Sequence, residues 1–248
     1  VACWYHGVEV KGDGTVAQVP AVVECPLNGE KCLRSYPVQE RNGAIFIWFG
    51  VDESVEPTAL ELPEQLESEE WSSFLCMADW KVNHRYAVDN VMDPMHGTYL
   101  HGDSHSMHSG DRQASMSLRP TDTGFIFEKD TQSGVNFDWA EFGSTGGNWL
   151  KLSIPYKPEF GPGGHFFIVG FATPIDENNT RVFFWRCRKV QGWQRGVWRF
   201  MYRNHLEGLH WAVLEQDRII LENLAPNARS REFLYQHDVG MSRLRRVM

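Results

Sequence analysis

Between residues 113 and 190 the chain repeats one pattern six times. Short runs rich in Phe, Trp, Ile and Val, near 113–118, 124–130, 136–142, 148–157, 164–174 and 180–190, alternate with Gly, Asn and Pro. Runs of this length bounded by turn residues read as strands joined by tight connections, hence an antiparallel sheet. After Gln191 the apolar residues return at helical spacing. A helical stretch is also expected from about Trp80 into the segment "DNVMDPMHGTYLHG" at 89–102. The order helix, long antiparallel run, helices predicts an α+β fold. The first fifty residues differ: "GDGTV" is a hairpin turn and "GAIFIWFG" a dense apolar strand, so a small β region precedes the rest.

The acidic, proline-containing stretch "VDESVEPTALELPEQLESEEW" reads as a linker. The domains expected are therefore 1–50, a linker over 51–75, and 76–248. A net charge of −8 argues against a nucleic-acid partner. No apolar run is long enough for a membrane span. Five cysteines at loose spacing argue against a disulfide framework and for reduced thiols in the cytoplasm. The start, Val1-Ala2-Cys3, has neither Met nor the form of a signal peptide, and is expected to lie partway into a longer protein.

Chemistry concentrates at 89–101. Asn90, Asp93 and His96 step by three and share a helix face, and His101 follows beyond Gly97. Pro94 removes a backbone donor and biases Asp93 away from helical geometry, so a kink can bring His101 beside His96. Two imidazoles and one carboxylate form the facial triad of non-heme Fe(II) oxygenases. The carboxylate candidate is Asp217 in "GLHWAVLEQDRIILENL", flanked at −4, −3, +3 and +4 by Val213, Leu214, Ile220 and Leu221. A carboxylate on an apolar stripe must be paired or bound to metal. Glu215 and Glu222 fall on other faces. A rival set, His101, His105 and His108 in "HGDSHSMHSG", could hold zinc, although its composition reads as a mobile loop or lid. Cys3 and His6 in "CWYHG" are a lone Cys-x-x-His, one of the two ligand pairs that a Rieske centre takes.

Taken together, "CWYHG", "SYPVQERNGAIFIWFG", "DNVMDPMHGTYLH" and "LEQDRIILENL" resemble the large (α) subunit of Rieske non-heme iron oxygenases, the ring-hydroxylating and O-demethylating enzymes. The three-residue step from Asn90 to Asp93 is similar to the phthalate and dicamba branch. The resemblance implies the C-terminal part of a small β Rieske domain, then a helix-grip-like catalytic domain with an antiparallel sheet around a long helix. It implies Fe(II) on His96, His101 and Asp217, with Cys3 and His6 as half of the [2Fe-2S] ligands. It gives Asp93 the role of bridging His96 to a Rieske histidine of a neighbouring subunit, and places Asn90 close to the iron. It further implies a homotrimer or an α3β3 assembly. Electrons come from NAD(P)H through a separate reductase and, in some systems, a ferredoxin, and an apolar, aromatic substrate meets O2.

Three features depart from the family. An earlier Cys-x-His is missing, so the chain alone is expected to be inactive. Trp4 stands where Pro is frequent, and Val8 where Trp is frequent. Hydroxylation, dihydroxylation and O-demethylation share these ligands. Two other classes stay open: a non-catalytic helix-grip module for hydrophobic ligands, and a zinc hydrolase. The basic end, "SRLRRVM", reads as a solvated helix terminus or as a docking patch for an acidic electron donor.

Overall fold

A computed structural model describes residues 1–156 and 164–248. The chain divides into two units, Val1–Ala59 and Leu60–Met248. The first holds two hairpins, β1 (Glu9–Val10) with β2 (Val16–Gln18) and β3 (Val38–Arg41) with β4 (Ala44–Ile47). The Asp13–Gly14 turn joins the first pair. Gly14 has φ +87°, and a Cβ there would meet the Leu33 carbonyl oxygen at 1.9 Å, so only glycine fits. Asn42-Gly43, both at positive φ, turns the second hairpin as such a pair should.

The second unit is built on seven antiparallel strands in the order β5-β11-β10-β9-β8-β7-β6. These are β5 (Trp71–Trp80), β6 (Met116–Pro120), β7 (Gly124–Lys129), β8 (Trp139–Gly143), β9 (Trp149–Tyr156), β10 (Gly164–Pro174) and β11 (Thr180–Lys189). Each of the six strand-like runs became one strand, although residue 157 of the fourth lies outside the described residues. The acidic stretch does not run to 75 as a linker. Leu60 opens the second unit, α1 (Glu64–Glu67) follows, and Leu62, Leu66 and Trp71 are buried. Acidic residues between these apolar ones masked them. Strand β5 was likewise not anticipated, because Ser72 and Ser73 interrupt its apolar pattern. It pairs along its whole length with β11, and the helix expected from Trp80 starts at His84.

One face of the sheet packs on helices. From α4 (Gly192–Met201) the chain passes through one widened turn, Tyr202–Leu206, into α5 (Glu207–Glu222). Widened turns of this kind re-phase a helix and occur often beside functional sites. Trp198, Tyr202 and Leu206 are fully buried against Phe74, Phe127, Phe142 and Phe166, and the Phe74 and Tyr202 rings stack at 4.1 Å. Burial of each such side chain contributes about 1.5–3 kcal/mol. Further along lie α6 (Ala228–Arg231) and α7 (Val239–Val247).

The basic end is only partly free. Arg243 and Arg246 are exposed, but Arg245 on α7 bonds both oxygens of buried Asp89 (2.7 and 3.2 Å) and also pairs with Glu232. Arg245 is therefore a structural clamp between α7 and the helix that bears Asp89. All five cysteines are free. Among the described residues no helix is long and apolar enough to cross a membrane.

Candidate metal centre

Helix α2 (His84–Val91) begins at Asn83, whose side chain accepts from the Arg85 N–H at 3.0 Å. It stops at Met92 because Pro94 disfavours helical geometry at Asp93. The Asp93 carboxylate then accepts from the Met95 N–H at 2.8 Å and closes the turn. A new helix, α3 (His96–Leu100), starts at once. The kink sets the His96 and His101 rings 5.1 Å apart.

Asp217 projects from α5 toward both histidines and is 7% exposed. Its Oδ1 lies 3.2 Å from His101 Nε2 and 3.5 Å from His96 Nε2. The other ring nitrogens are occupied. His96 Nδ1 meets the Asp93 main-chain oxygen at 2.5 Å, and His101 Nδ1 meets Gln216 Oε1 at 2.8 Å. Both partners can only accept, so each Nδ1 carries the proton and each Nε2 presents a lone pair. Asp217 Oδ1 has no hydrogen-bond donor although it is buried. Three lone pairs aimed at one point repel unless a cation sits among them.

The spacing suits a metal. Two ligands at about 2.1 Å from an ion and at right angles are about 3 Å apart. His96, His101 and Asp217 offer atoms all within 4.8 Å of one another, and they form the one such group among the described residues. Without an ion, burial lowers the His101 pKa. The negative charge of Asp217 close by and the Gln216 contact outweigh it, and the His101 pKa lies above the ordinary value.

Several expectations shift. His96 is held by the carbonyl of Asp93, and the nearest Asp93 carboxylate oxygen stands 4.0 Å from its Nδ1, with that side chain 39% exposed. The acid is thus free to face elsewhere. Asn90 is half-buried in the cavity wall. Ile220 is 52% exposed, since three residues beyond Asp217 the helix surface has turned to solvent, whereas Val213 and Leu214 line the cavity. Glu215 and Glu222 pair with Arg218.

The zinc set is not assembled. His101 turns to Asp217, while the His105 ring lies 5.3 Å from that of His210. Nor is the His-rich segment an untethered lid. Asn136 Nδ2 donates to the carbonyls of Met107 (2.8 Å) and Ser109 (2.5 Å), and Met107 is buried. The same turn sets Phe137 edge-on to His96 at 5.6 Å. Cys3 and His6 sit in a small loop closed by Gly7 N–H to the Cys3 carbonyl at 2.9 Å, and both side chains are exposed.

Beside the centre lies a cavity of about 120 Å³ with a mostly apolar wall that includes Phe166, Ile168 and Phe184. A cavity of about 150 Å³ suffices for benzene, so one aromatic ring is the natural scale. Sequence reasoning missed Gln216, Arg186 and His210. The last could have been found, because it precedes Asp217 by seven residues, two helical turns on the same face. Gln216 offers no such signal, and Arg186 looks like any strand arginine.

Known proteins share this fold. A family described as the vanillate O-demethylase oxygenase C-terminal domain matches residues 80–248. The vanillate O-demethylase oxygenase subunit of Pseudomonas sp. (strain HR199 / DSM 7063) is 32% identical over 102 residues, which are 41% of this chain and 28% of that protein. The match thus spans under a third of that relative's length. Dicamba monooxygenase bound to dicamba aligns with a TM-score of 0.70 at 19% identity, over 99% of this chain and 77% of that one. The oxygenase of a carbazole 1,9a-dioxygenase–ferredoxin complex aligns at 0.72 and 19%, over 97% and 71%. At these identities the structures establish the shared fold.

Proposed function

The chain belongs to the Rieske non-heme iron oxygenases, in the family of the vanillate O-demethylase oxygenase C-terminal domain, and from that membership we propose that residues 60–248 hold one Fe(II) on His96, His101 and Asp217. The unit then oxidises an apolar, aromatic substrate in the adjoining cavity by hydroxylation or O-demethylation. The single observation that carries this reading is the buried Asp217 oxygen, which faces two imidazole lone pairs and no donor. When bound, the iron supplies O2 activation, with coordination positions left open by a three-ligand set.

The chain's own residues do the rest. The Asp93 carbonyl and Gln216 fix the tautomer and the aim of both ligand rings, the usual work of groups behind a metal ligand. Phe137 shields His96. The apolar wall orients the ring and keeps water away from it. These features favour the oxygenase over a passive hydrophobic-ligand module, which has no need of the triad, and over a zinc hydrolase, whose histidine set is scattered.

Cys3 and His6 are proposed as half of a [2Fe-2S] ligand set. Among the described residues no third metal-ligating side chain joins them. The exposed Asp93 carboxylate is proposed as the bridge to a Rieske histidine of a neighbouring subunit in a trimer. A reductase, with or without a ferredoxin, supplies the electrons. Metal analysis of the purified protein tests the core of this reading. One iron per chain is expected, and Asp217→Ala should lose that iron and turnover while any [2Fe-2S] absorption persists. Stoichiometric zinc, or turnover that survives Asp217→Ala, overturns it.

A further inference from the structure

Polar groups buried among rings recur in the larger unit. In the cavity wall Arg186 lies over the Phe184 and Trp211 rings at 4.8 and 5.2 Å. His210 sits in a nest of Tyr156, Tyr202 and Phe166, and its Nδ1 has no hydrogen-bond partner. Asp138 is the opposite case, a buried charge with several donors. It is 2% exposed in the turn between β7 and β8. It accepts from the Val135 N–H at 2.8 Å, from the Asn136 N–H at 3.1 Å and from Gln132 Nε2, and the buried Lys129 ammonium lies 3.6 Å away. Lys129 Nζ has no hydrogen bond of its own. An apolar pair of the same volume is often at least as stable as a buried ion pair, so the geometry that this carboxylate imposes is the better account of it.

The turn it holds touches the metal centre. Phe137, 3% exposed, sets its ring edge-on to His96 at 5.6 Å and 78°. Gly97, next to that ligand, permits the approach: a Cβ there would lie 3.3 Å from both Cβ and Cδ1 of Phe137. Asn136 fixes the tip, because its Oδ1 accepts from the Phe137 N–H at 2.5 Å while its Nδ2 holds the Met107 and Ser109 carbonyls. Gln132 Oε1 in turn accepts from the Asp111 N–H at 2.6 Å. His96 needs such support more than His101 does. The His101 ring is held at Nδ1 by Gln216 from another helix, and its side chain is 2% exposed. The His96 side chain is 16% exposed at the first residue of a five-residue helix, and its Nδ1 partner is a main-chain oxygen three residues back. One such bond fixes a single point of the ring with a broad range of angles, and packing has to fix its plane.

We propose that Asp138 is a positioning residue for His96: it builds the turn at 132–138, and the turn lays Phe137 against the ligand ring and so sets the direction of Nε2. This rests on the oxygenase reading for the metal that His96 serves. Phe137 touches the ring, Asn136 orients Phe137, and Asp138 orients both, so the carboxylate acts on a ligand that it does not touch. Aim matters because a lone pair that points off the ion binds it weakly. Groups that orient a ligand are typically worth about 10- to 100-fold in metal affinity.

The test is binding of cobalt(II) to the intact, metal-free protein, measured by competition with a chelator and by the visible absorption of the ion, which reports ligand geometry. Lys129→Met/Asp138→Ala removes the acceptor without leaving an unpaired charge, and Lys129→Met/Asp138→Asn keeps an oxygen for the turn N–H groups. The alanine variant should lose at least about tenfold in cobalt affinity and shift the absorption, whereas the asparagine variant should stay within about threefold and keep it. Asn136→Ala cuts the link to Phe137, should act like the alanine variant, and carries the test if that one does not fold. Leu62→Ala strips a buried side chain outside the site. It should lower the unfolding midpoint yet leave cobalt affinity within about threefold. The His96 ring-proton resonances of the metal-free protein feel the ring current of Phe137 and need no ion. They should move in Asn136→Ala and in the alanine variant but not in Leu62→Ala. Absence of cobalt binding to the unaltered protein would defeat the metal reading, and those resonances would then decide the positioning. Unmoved His96 resonances, an unchanged affinity in whichever of the two variants folds, or an equal loss in Leu62→Ala overturns it.

Discussion

The two units treat candidate metal ligands in opposite ways. In residues 60–248 His101 and Asp217 are buried and His96 is partly so, the outer ring nitrogens of both histidines are already engaged, and one carboxylate oxygen has no donor. In residues 1–59, Cys3 and His6 are exposed on a loop of a few residues. The difference teaches what a ligand set looks like when all its members come from one packed unit. The sheet and α5 over-determine where Asp217 sits, and neighbouring acceptors choose the tautomers, so the three side chains are already gathered as a candidate ligand set. A pair on a surface loop carries no such preparation.

The largest expected effect would break this contrast outright. The 248-residue polypeptide, reconstituted with iron and sulfide, should load mononuclear iron yet show no Rieske paramagnetic signal after reduction, because Cys3 and His6 supply two of the four protein ligands a cluster needs. A normal signal would mean that other residues complete the set and that the exposed pair is as well prepared as the triad.

Asp93→Asn sharpens the contrast, since this residue is the proposed bridge between the centres. Asparagine keeps an oxygen to accept from the Met95 N–H and leaves the main-chain oxygen on His96. Iron content should therefore be unchanged. If Asp93 is the proposed bridge, turnover should fall at least about tenfold, the range expected when a group behind a metal ligand is altered. Rapid mixing of reduced protein that carries a complete Rieske cluster with substrate and O2 checks it. Rieske reoxidation at the unaltered rate would remove Asp93 from the electron path, and loss of iron would make it a support for His96.

Much of the larger unit was legible in the sequence. Six strands could be read from 113 to 190 because period-two aromatic and β-branched runs between turn residues have few other readings. The triad was legible because Pro94 and the helical stripe around Asp217 act locally. What stayed hidden depends on partners far along the chain. Strand β5 exists because β11 pairs with it, Arg245 is a clamp because Asp89 is buried opposite, and Gln216 matters only once His101 is beside it. The cavity's charged wall belongs to the same class, since Arg186 looks ordinary until its neighbours prove to be aromatic rings.

Gln216→Leu tests preparation within the triad itself. It removes the acceptor for His101 Nδ1 and leaves all three ligands in place. Iron affinity should fall about 10- to 100-fold, measured by competition with a chelator. An unchanged affinity would mean that packing alone aims His101. A smaller effect concerns the support of α2. Arg245→Ala strands Asp89, whose burial already pushes its pKa up against the pull of Arg245. The side chain of Arg245 is partly solvated, so we expect a loss of about 2 kcal/mol in denaturant unfolding, below the range for fully buried pairs. An unchanged midpoint would show that water replaces the clamp.

The smallest effect concerns His210 in its aromatic nest. His210 is held well below the ordinary histidine pKa by burial first, then by the charge of Arg186 and by His105. Its surroundings are otherwise Tyr156, Tyr202 and Phe166, none of which supplies an anion. The folded pKa lies under the unfolded one, so between the two the unfolded chain binds more protons. Stability from neutral His210 is full above about pH 6.5 and is lost as the pH falls toward the folded pKa. One group titrating over one pH unit accounts for about 1 kcal/mol at most. His210→Phe keeps a ring in the aromatic nest and removes the proton site. Its unfolding free energy should therefore fall less between pH 6.5 and 5.5 than that of the unaltered protein, by up to that amount. His105, also lowered by burial and by His205, keeps the remaining slope in the same direction. Equal slopes would mean that His210 is protonated as readily in the fold as outside it, and the unpartnered nitrogen would then have found an acceptor.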